Sequence, residues 1–316
     1  MDGLSDIGQL SERISSRFEA LSPQLRNAAR YLLDHPDDVA LRSMRDIAQA
    51  AGLPAVTFVR LTRALGFADY AELRGLFQDH LREGSAGGNS GRPYSLKARD
   101  LQRRGGGAAA GDGDGPASLL ADLFGVEMDN VQLTYEKNHP EALTKAVELI
   151  EGAARVCILG QRSCYPIAFF FTYVYRLFRT NAVLLQSGGG GMVLDELRGI
   201  GRNDLLIAIS IAPYSTETVK TVRFARDEGA RLLALTDDPL SPIARIADRT
   251  LLVAPGTPSF FHSIVSPIAL VQALLALLVA RGGKDALAAI ERSERQLERF
   301  QAYWPDEGSP QSGRSR

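Results

Sequence analysis

The chain has 316 residues, too many for one small domain, so two domains are the natural reading. A formal net charge of -1 excludes a global basic field, and any nucleic-acid surface has to be local. The two cysteines, Cys157 and Cys164, make neither a metal motif nor a disulfide framework, so no metal site is expected and a cytoplasmic location fits.

The first residues, MDGLSDIGQLSERISS, hold no apolar run of signal-peptide length. Residues 1–83 read almost entirely as helix. Helices are expected near Ile7–Leu21 and Pro23–Leu33, with Ser22 as a cap before a first-turn proline. From Ser43 the sequence runs SMRDIAQAAGLPAVTFVRLTRALGF. Met44, Ile47 and Ala48 recur at helical spacing, Ala51-Gly52-Leu53 breaks the pattern, and a second short helix follows. Helix, glycine turn, helix is the helix-turn-helix arrangement, and the glycine supplies a positive φ. Thr57, Arg60 and Arg63 lie three residues apart and are expected to share the face that enters the major groove. Arg42, Arg45 and Arg74 extend a local basic face, Arg45 being the further candidate for DNA contact. An exposed helix merely solvated by its arginines is the plainer alternative.

Residues 84–116 are rich in Gly, Ser, Ala and Pro and lose apolar periodicity. They read as a flexible linker, with a basic stretch at Lys97–Arg104. From residue 117 to 304, short apolar runs alternate with helical patterns. The runs are 155–160, 181–186, 204–210, 231–237 and 249–255; helices are expected over Tyr165–Arg179, Thr216–Glu228, 262–281 and 285–303. That alternation predicts a parallel sheet of five strands covered on both faces. The most apolar segment, Ile264–Ala280, is interrupted by Ser266, Pro267 and Gln272 and reads as a helix of the core or of a subunit interface, not a membrane span. Residues 305–316 read as a disordered tail.

Ligands of doubly wound sheets bind at the carboxyl ends of the strands. After the first strand stand Gly160-Gln161-Arg162-Ser163, and after the third Ser210 to Thr218, with hydroxyls at Ser210, Ser215, Thr216 and Thr218. Free N–H groups at a helix start suit an anion, Ser163 adds a hydroxyl and Arg162 a positive charge. Helix capping alone is the alternative for the hydroxyls. A glycine loop at Ser187–Gly191 lies after the second strand. G-x-G-x-x-G and Walker patterns are absent, which speaks against a nucleotide, and no cofactor is expected. Cys164, beside Arg162 at a helix start, is either a low-pKa thiol or a buried inert one.

The order Ile47-Ala48, Ala51-Gly52, Thr57, Arg60, Arg63, Leu65-Gly66-Phe67, Tyr70, Glu72, Arg74 resembles the N-terminal domain of the RpiR family of regulators, over most of residues 7–82. Pro54 stands where that family usually has a capping serine. The serine loop after the first strand, the hydroxyl loop ending Glu217-Thr218 and Leu235-Thr236-Asp237 resemble the SIS, or sugar isomerase, domain over about 118–281. Both loops depart from that pattern, the first being shorter and the second carrying Pro213 and Tyr214 without a glycine. The resemblance implies an all-α helix-turn-helix domain joined to a flavodoxin-like α/β domain. It implies a transcription regulator that binds double-stranded operator DNA, senses a phosphosugar and pairs as a homodimer or homotetramer. A phosphosugar isomerase using Glu217 or His262 as base, and a regulator of a non-sugar ligand, are the competing readings.

Overall fold

The computed structural model describes residues 7–86, 93–105, 115–186 and 193–304. The glycine loop at 187–191 and the tail at 305–316 lie outside them. The N-terminal part consists of α1 (Ile7–Arg17), α2 (Pro23–Asp34), α3 (Pro36–Leu41), α4 (Met44–Ala50), α5 (Ala55–Ala64) and α6 (Tyr70–Ala86). Ser22 caps α2 by accepting from the Leu25 N–H. Ser43 and Asp46 form a reciprocal capping box at the start of α4. Leu10, Ile14, Leu32, Ile47, Phe58, Leu61, Leu65 and Phe77 are buried together as the core of this part.

The segment expected to be a flexible linker contains a helix, α7 (Tyr94–Gly105). Its sequence is too polar to signal packing. Tyr94 meets the Phe261 ring at 5.2 Å, and Arg104 pairs with Asp122 of α8 (Gly115–Lys137). Long-range contacts therefore hold what local pattern left open. Helix α8 is stitched to the sheet by polar side chains. Asn138 brackets Leu252, accepting from its N–H at 2.9 Å and donating to its C=O at 2.6 Å. Thr134 accepts from the Ala254 N–H at 3.0 Å.

The sheet has β1 (Arg155–Gly160), β2 (Ala182–Leu185), β3 (Asp204–Ser210), β4 (Arg231–Thr236) and β5 (Arg249–Leu252), in the order β2-β1-β3-β4-β5, all parallel. The strands are apolar throughout because both faces are covered. Val156, Ile158, Ile207 and Leu233 face one core with α9 (Pro140–Glu151), α10 (Tyr165–Tyr175), α13 (Val265–Arg281) and α14 (Gly283–Arg299). Cys157, Leu159, Leu206 and Ala234 face the other with α11 (Val193–Glu196) and α12 (Thr216–Asp227). The order reverses between β1 and β3, so the loops after these two strands lie side by side, at the place where such sheets open a crevice.

Among the described residues no single helix is long and apolar enough to cross a membrane; α13 and α14 pass only as a pair bent by 113°. Leu270, Val271, Leu274, Leu275 and Leu278 of α13 are in the core.

Candidate nucleic-acid interface and effector site

The turn between α4 and α5 is short because the Leu53 N–H reaches back to Ala48 C=O at 2.9 Å, with Gly52 at φ +65°. Pro54 stands at the N-cap of α5 and supplies no side-chain cap, as the missing serine predicts. Phe58, Leu61 and Thr62 point inward. Arg60 and Arg63 are exposed, as is Arg45 on α4. Thr57 is not on that face: it is 4% exposed and lies in the core. Offsets of three turn a helix by about 300°, so each step drifts about 60° and the first residue of a triplet can fall on the buried side. Val56 is 53% exposed and takes the outward position beside Arg60.

Two arginines leave the basic face. Arg74 donates to the Ala40 and Leu41 carbonyls at 2.9 and 3.2 Å, tying α6 to the end of α3. Arg42 pairs with Asp38 at 3.3 Å. The outward surface of α4 and α5 thus carries Arg45, Arg60 and Arg63 around Val56. It can offer guanidinium groups to phosphates or guanine edges and an apolar contact to a thymine methyl.

At the sheet edge, Gly160 is buried at the end of β1, and a Cβ there would stand 2.3 Å from the Cys164 carbonyl oxygen. The loop therefore folds tightly back over the strand end. Arg162 adopts φ +53° and is exposed, while Ser163 is half-buried. Cys164 is buried, and burial pushes its thiol up to about 11 against the pull of its contacts with the Ile211 backbone and the Ser163 hydroxyl. The expectation of a low-pKa thiol beside Arg162 is thereby excluded, and the same contacts join the first loop to the second.

In the loop after β3, Ser210 is 3% exposed. Ser215 caps α12, accepting from the Thr218 N–H at 3.5 Å. Thr216 is exposed. Thr218 is fully buried, and its hydroxyl has no hydrogen-bond partner among the described residues. Thr218 and Ser210 are therefore set behind the loop surface instead of lining it. The donors that meet an acceptor in this loop are ones the pattern of hydroxyls did not single out. The Ala212 N–H donates to both oxygens of Asp237 at 3.3 Å, and Tyr214 also hydrogen-bonds that carboxyl. Burial raises the Asp237 pKa, opposed by its own N–H and that of Ala212. Tyr214 is raised by burial and by Asp237 and Asp238. The sequence signal for this cluster lies in Leu235-Thr236-Asp237 and in the unusual Pro213-Tyr214.

Of the two candidate bases, Glu217 is exposed in the first turn of α12. His262 is half-buried with its pKa lowered by burial and by Lys97. A separate groove of about 330 Å3 runs between α10 and α14 along the β2 edge, lined by Phe169, Tyr173, Gln186 and Leu297 among others. None of the strand-end residues named above contributes to it.

Comparison with known proteins places both halves. Residues 8–83 match the model of the helix-turn-helix domain of the rpiR family, and residues 149–277 match the SIS domain. The chain is 25% identical over 238 residues, 75% of each protein, to the HTH-type transcriptional regulator HexR of Pseudomonas aeruginosa. It is 31% identical to the sugar isomerase domain of an RpiR transcription factor from Sphaerobacter thermophilus, covering 56% of this chain and 99% of that one with a TM-score of 0.54. The fold also matches the NanR protein of Vibrio vulnificus complexed with ManNAc-6P, at 19% identity, over 93% of this chain and 100% of that one, with a TM-score of 0.50.

Proposed function

The chain belongs to the RpiR family of helix-turn-helix regulators with an SIS domain, and on that premise we propose that it is a non-enzymatic transcription factor whose operator binding responds to a phosphorylated sugar. In this reading residues 1–83 bind the DNA, 84–116 join the halves and 117–304 sense the effector, and the protein works in the cytoplasm. The observation that carries the reading is the exposed trio Arg45, Arg60 and Arg63 flanking a glycine turn, in the same chain as two adjoining strand-end loops. Arg162, Ser163 and the loop from Ser210 to Thr218 are the effector side. A phosphosugar is the ligand class by analogy with the NanR complex.

We also propose a homodimer. Helix α13 spends most of its apolar surface on the core, so the interface falls to its neighbour. Helix α8 leaves Leu120, Phe124, Met128, Val131 and Tyr135 exposed at helical spacing, five large side chains along one stripe. A stripe of that kind marks an association face. A symmetric pair would hold two reading heads for a repeated operator.

The test is a duplex selected from random sequence by the native chain, titrated by fluorescence anisotropy with and without a panel of phosphosugars. The reading expects a salt-sensitive operator complex whose affinity changes with one of them. No selected duplex, or isomerase turnover with Glu217 or His262 essential, would replace it with the enzyme reading. A monomer by light scattering at working concentration would remove the dimer.

A further inference from the structure

Two donors of the loop after β3 are already engaged by the chain itself. Besides the Ala212 N–H and the Tyr214 hydroxyl, the Thr236 hydroxyl donates to Asp237 Oδ1 at 3.3 Å. Three donors from two neighbouring strand ends converge on one oxyanion. A carboxylate and a phosphate monoester make the same demand on such donors, because both present paired oxygens that accept charge-assisted hydrogen bonds. The position is therefore an anion site that has an occupant.

The occupant is tethered to something. Asp237 begins a turn stiffened by its own hydrogen bonds. Asp238 Oδ1 accepts from the Leu240 N–H at 2.7 Å, the Asp238 carbonyl from the Ser241 N–H at 3.0 Å, and Ser241 Oγ from the Ala244 N–H at 3.2 Å. Three residues beyond Asp237, Leu240 is 6% exposed and is packed into the apolar cluster of the helical part. Among the described residues, every other buried member of that cluster lies between Ile7 and Phe77. One short turn thus has a carboxylate in the anion position and a leucine in the core of the DNA-reading domain.

We infer that Asp237 is an internal ligand of the effector site: an oxyanion of the effector competes with it for the Ala212, Tyr214 and Thr236 donors, and its displacement moves the Leu240 anchor that ties the helical domain to the sheet. The inference rests on the sensing role proposed above and supplies its coupling. The occupied arrangement favours one placement of the reading head and the displaced arrangement another. The effector shifts the balance only by its preference for the second. Linkage is reciprocal, so loosening the turn at either end raises the affinity for the anion. Burial disfavours the charged form of Asp237, which a competing phosphate does not share while it is in solvent.

The experiment is thermal denaturation of the full chain against inorganic phosphate at constant ionic strength, for the native protein, Asp237→Ala and Leu240→Ala. Half-saturation is expected at a phosphate concentration at least about tenfold lower for Asp237→Ala than for the native chain, as a displaced competitor requires. For Leu240→Ala, whose side chain sits in the other domain's core, it is expected at least about threefold lower. If Asp237→Ala fails to fold, Asp237→Asn, which keeps the shape and removes the charge, carries the same expectation. A native chain that binds phosphate as tightly as the Asp237 variants overturns the internal ligand. A Leu240→Ala midpoint equal to the native one overturns the coupling. Operator binding is measured separately: its absence would sink the regulator reading, while the phosphate titration would still decide this one.

Discussion

Two glycines, one in each half of the molecule, are required for opposite reasons. Gly52, in the turn before the reading helix, has φ +65° and nothing within 4 Å of where a Cβ would stand. Space is free there; it is the backbone conformation that excludes an L side chain. Gly160, at the end of β1, needs no left-handed backbone, but a Cβ would stand 2.3 Å from the Cys164 carbonyl oxygen and 2.9 Å from the Ala168 Cβ. Here conformation is free and space is not. The helical half is shaped by local backbone geometry, and the α/β half by close approach of segments covering a sheet.

That contrast orders the expected effects. Gly160→Ala is the most damaging substitution, at about 3 kcal/mol of unfolding free energy, because both obstacles belong to packed backbone and core. Urea denaturation measures it, and a loss under about 1 kcal/mol would mean that the loop gives way easily and the contrast is false. Arg60→Ala follows, weakening operator binding by about 1–3 kcal/mol if the arginine reads a base. Thr57→Ser in the same titration should leave the choice of bases unchanged, because that side chain is buried. A changed base preference would put Thr57 back on the DNA face. Gly52→Ala should cost about 1–2 kcal/mol from the left-handed backbone alone. Gly52→Asn should cost clearly less, since asparagine tolerates that region; equal losses would point to crowding instead of conformation.

The smallest effect concerns the thiols. Burial raises both Cys157 and Cys164 from 9.0 to about 11. The native chain should resist iodoacetamide at pH 8 and react fully once unfolded. The folded state holds these protons more tightly than the unfolded one. Each thiol's contribution is therefore complete below the ordinary thiol pKa and falls as pH climbs from 9.0 toward 11. A midpoint of unfolding that stays level over that window, or fast labelling of Cys164 at pH 8, would show a thiol open to solvent.

Much of the fold was legible in the residues. The apolar runs at 155–160 and 204–210 coincide with β1 and β3, because strands buried on both faces leave no polar interruption to blur their ends. The run at 249–255 overshoots: β5 ends at Leu252, although Val253 and Ala254 are buried too. Their N–H groups go to the Thr236 carbonyl and the Thr134 hydroxyl. Apolar character announces burial and is silent about which partner takes the backbone. The short helix after the glycine turn is present as α5, but Thr57 does not share the exposed face of Arg60 and Arg63. Periodicity gives the width of an apolar stripe but not its centre when Val56 and Thr57, similar in size, compete for the edge.

What the sequence determined by itself is what short-range physics controls: the order of elements, the glycine turn, the Ser22 cap and the division into a helical and an α/β half. Each depends on residues a few positions apart, whose geometry is constrained before any tertiary contact forms. Tertiary structure alone decided that α7 stands in a stretch without apolar rhythm, held by Phe261 and Asp122. It also decided that the Ala212 N–H of the third-strand loop is satisfied by a carboxylate 25 residues further along. A hydroxyl-rich loop looks the same in sequence whether its N–H groups face solvent or Asp237. Only the side-by-side packing of parallel strands β3 and β4, which sets Ser210 opposite Thr236, brings donor and acceptor together.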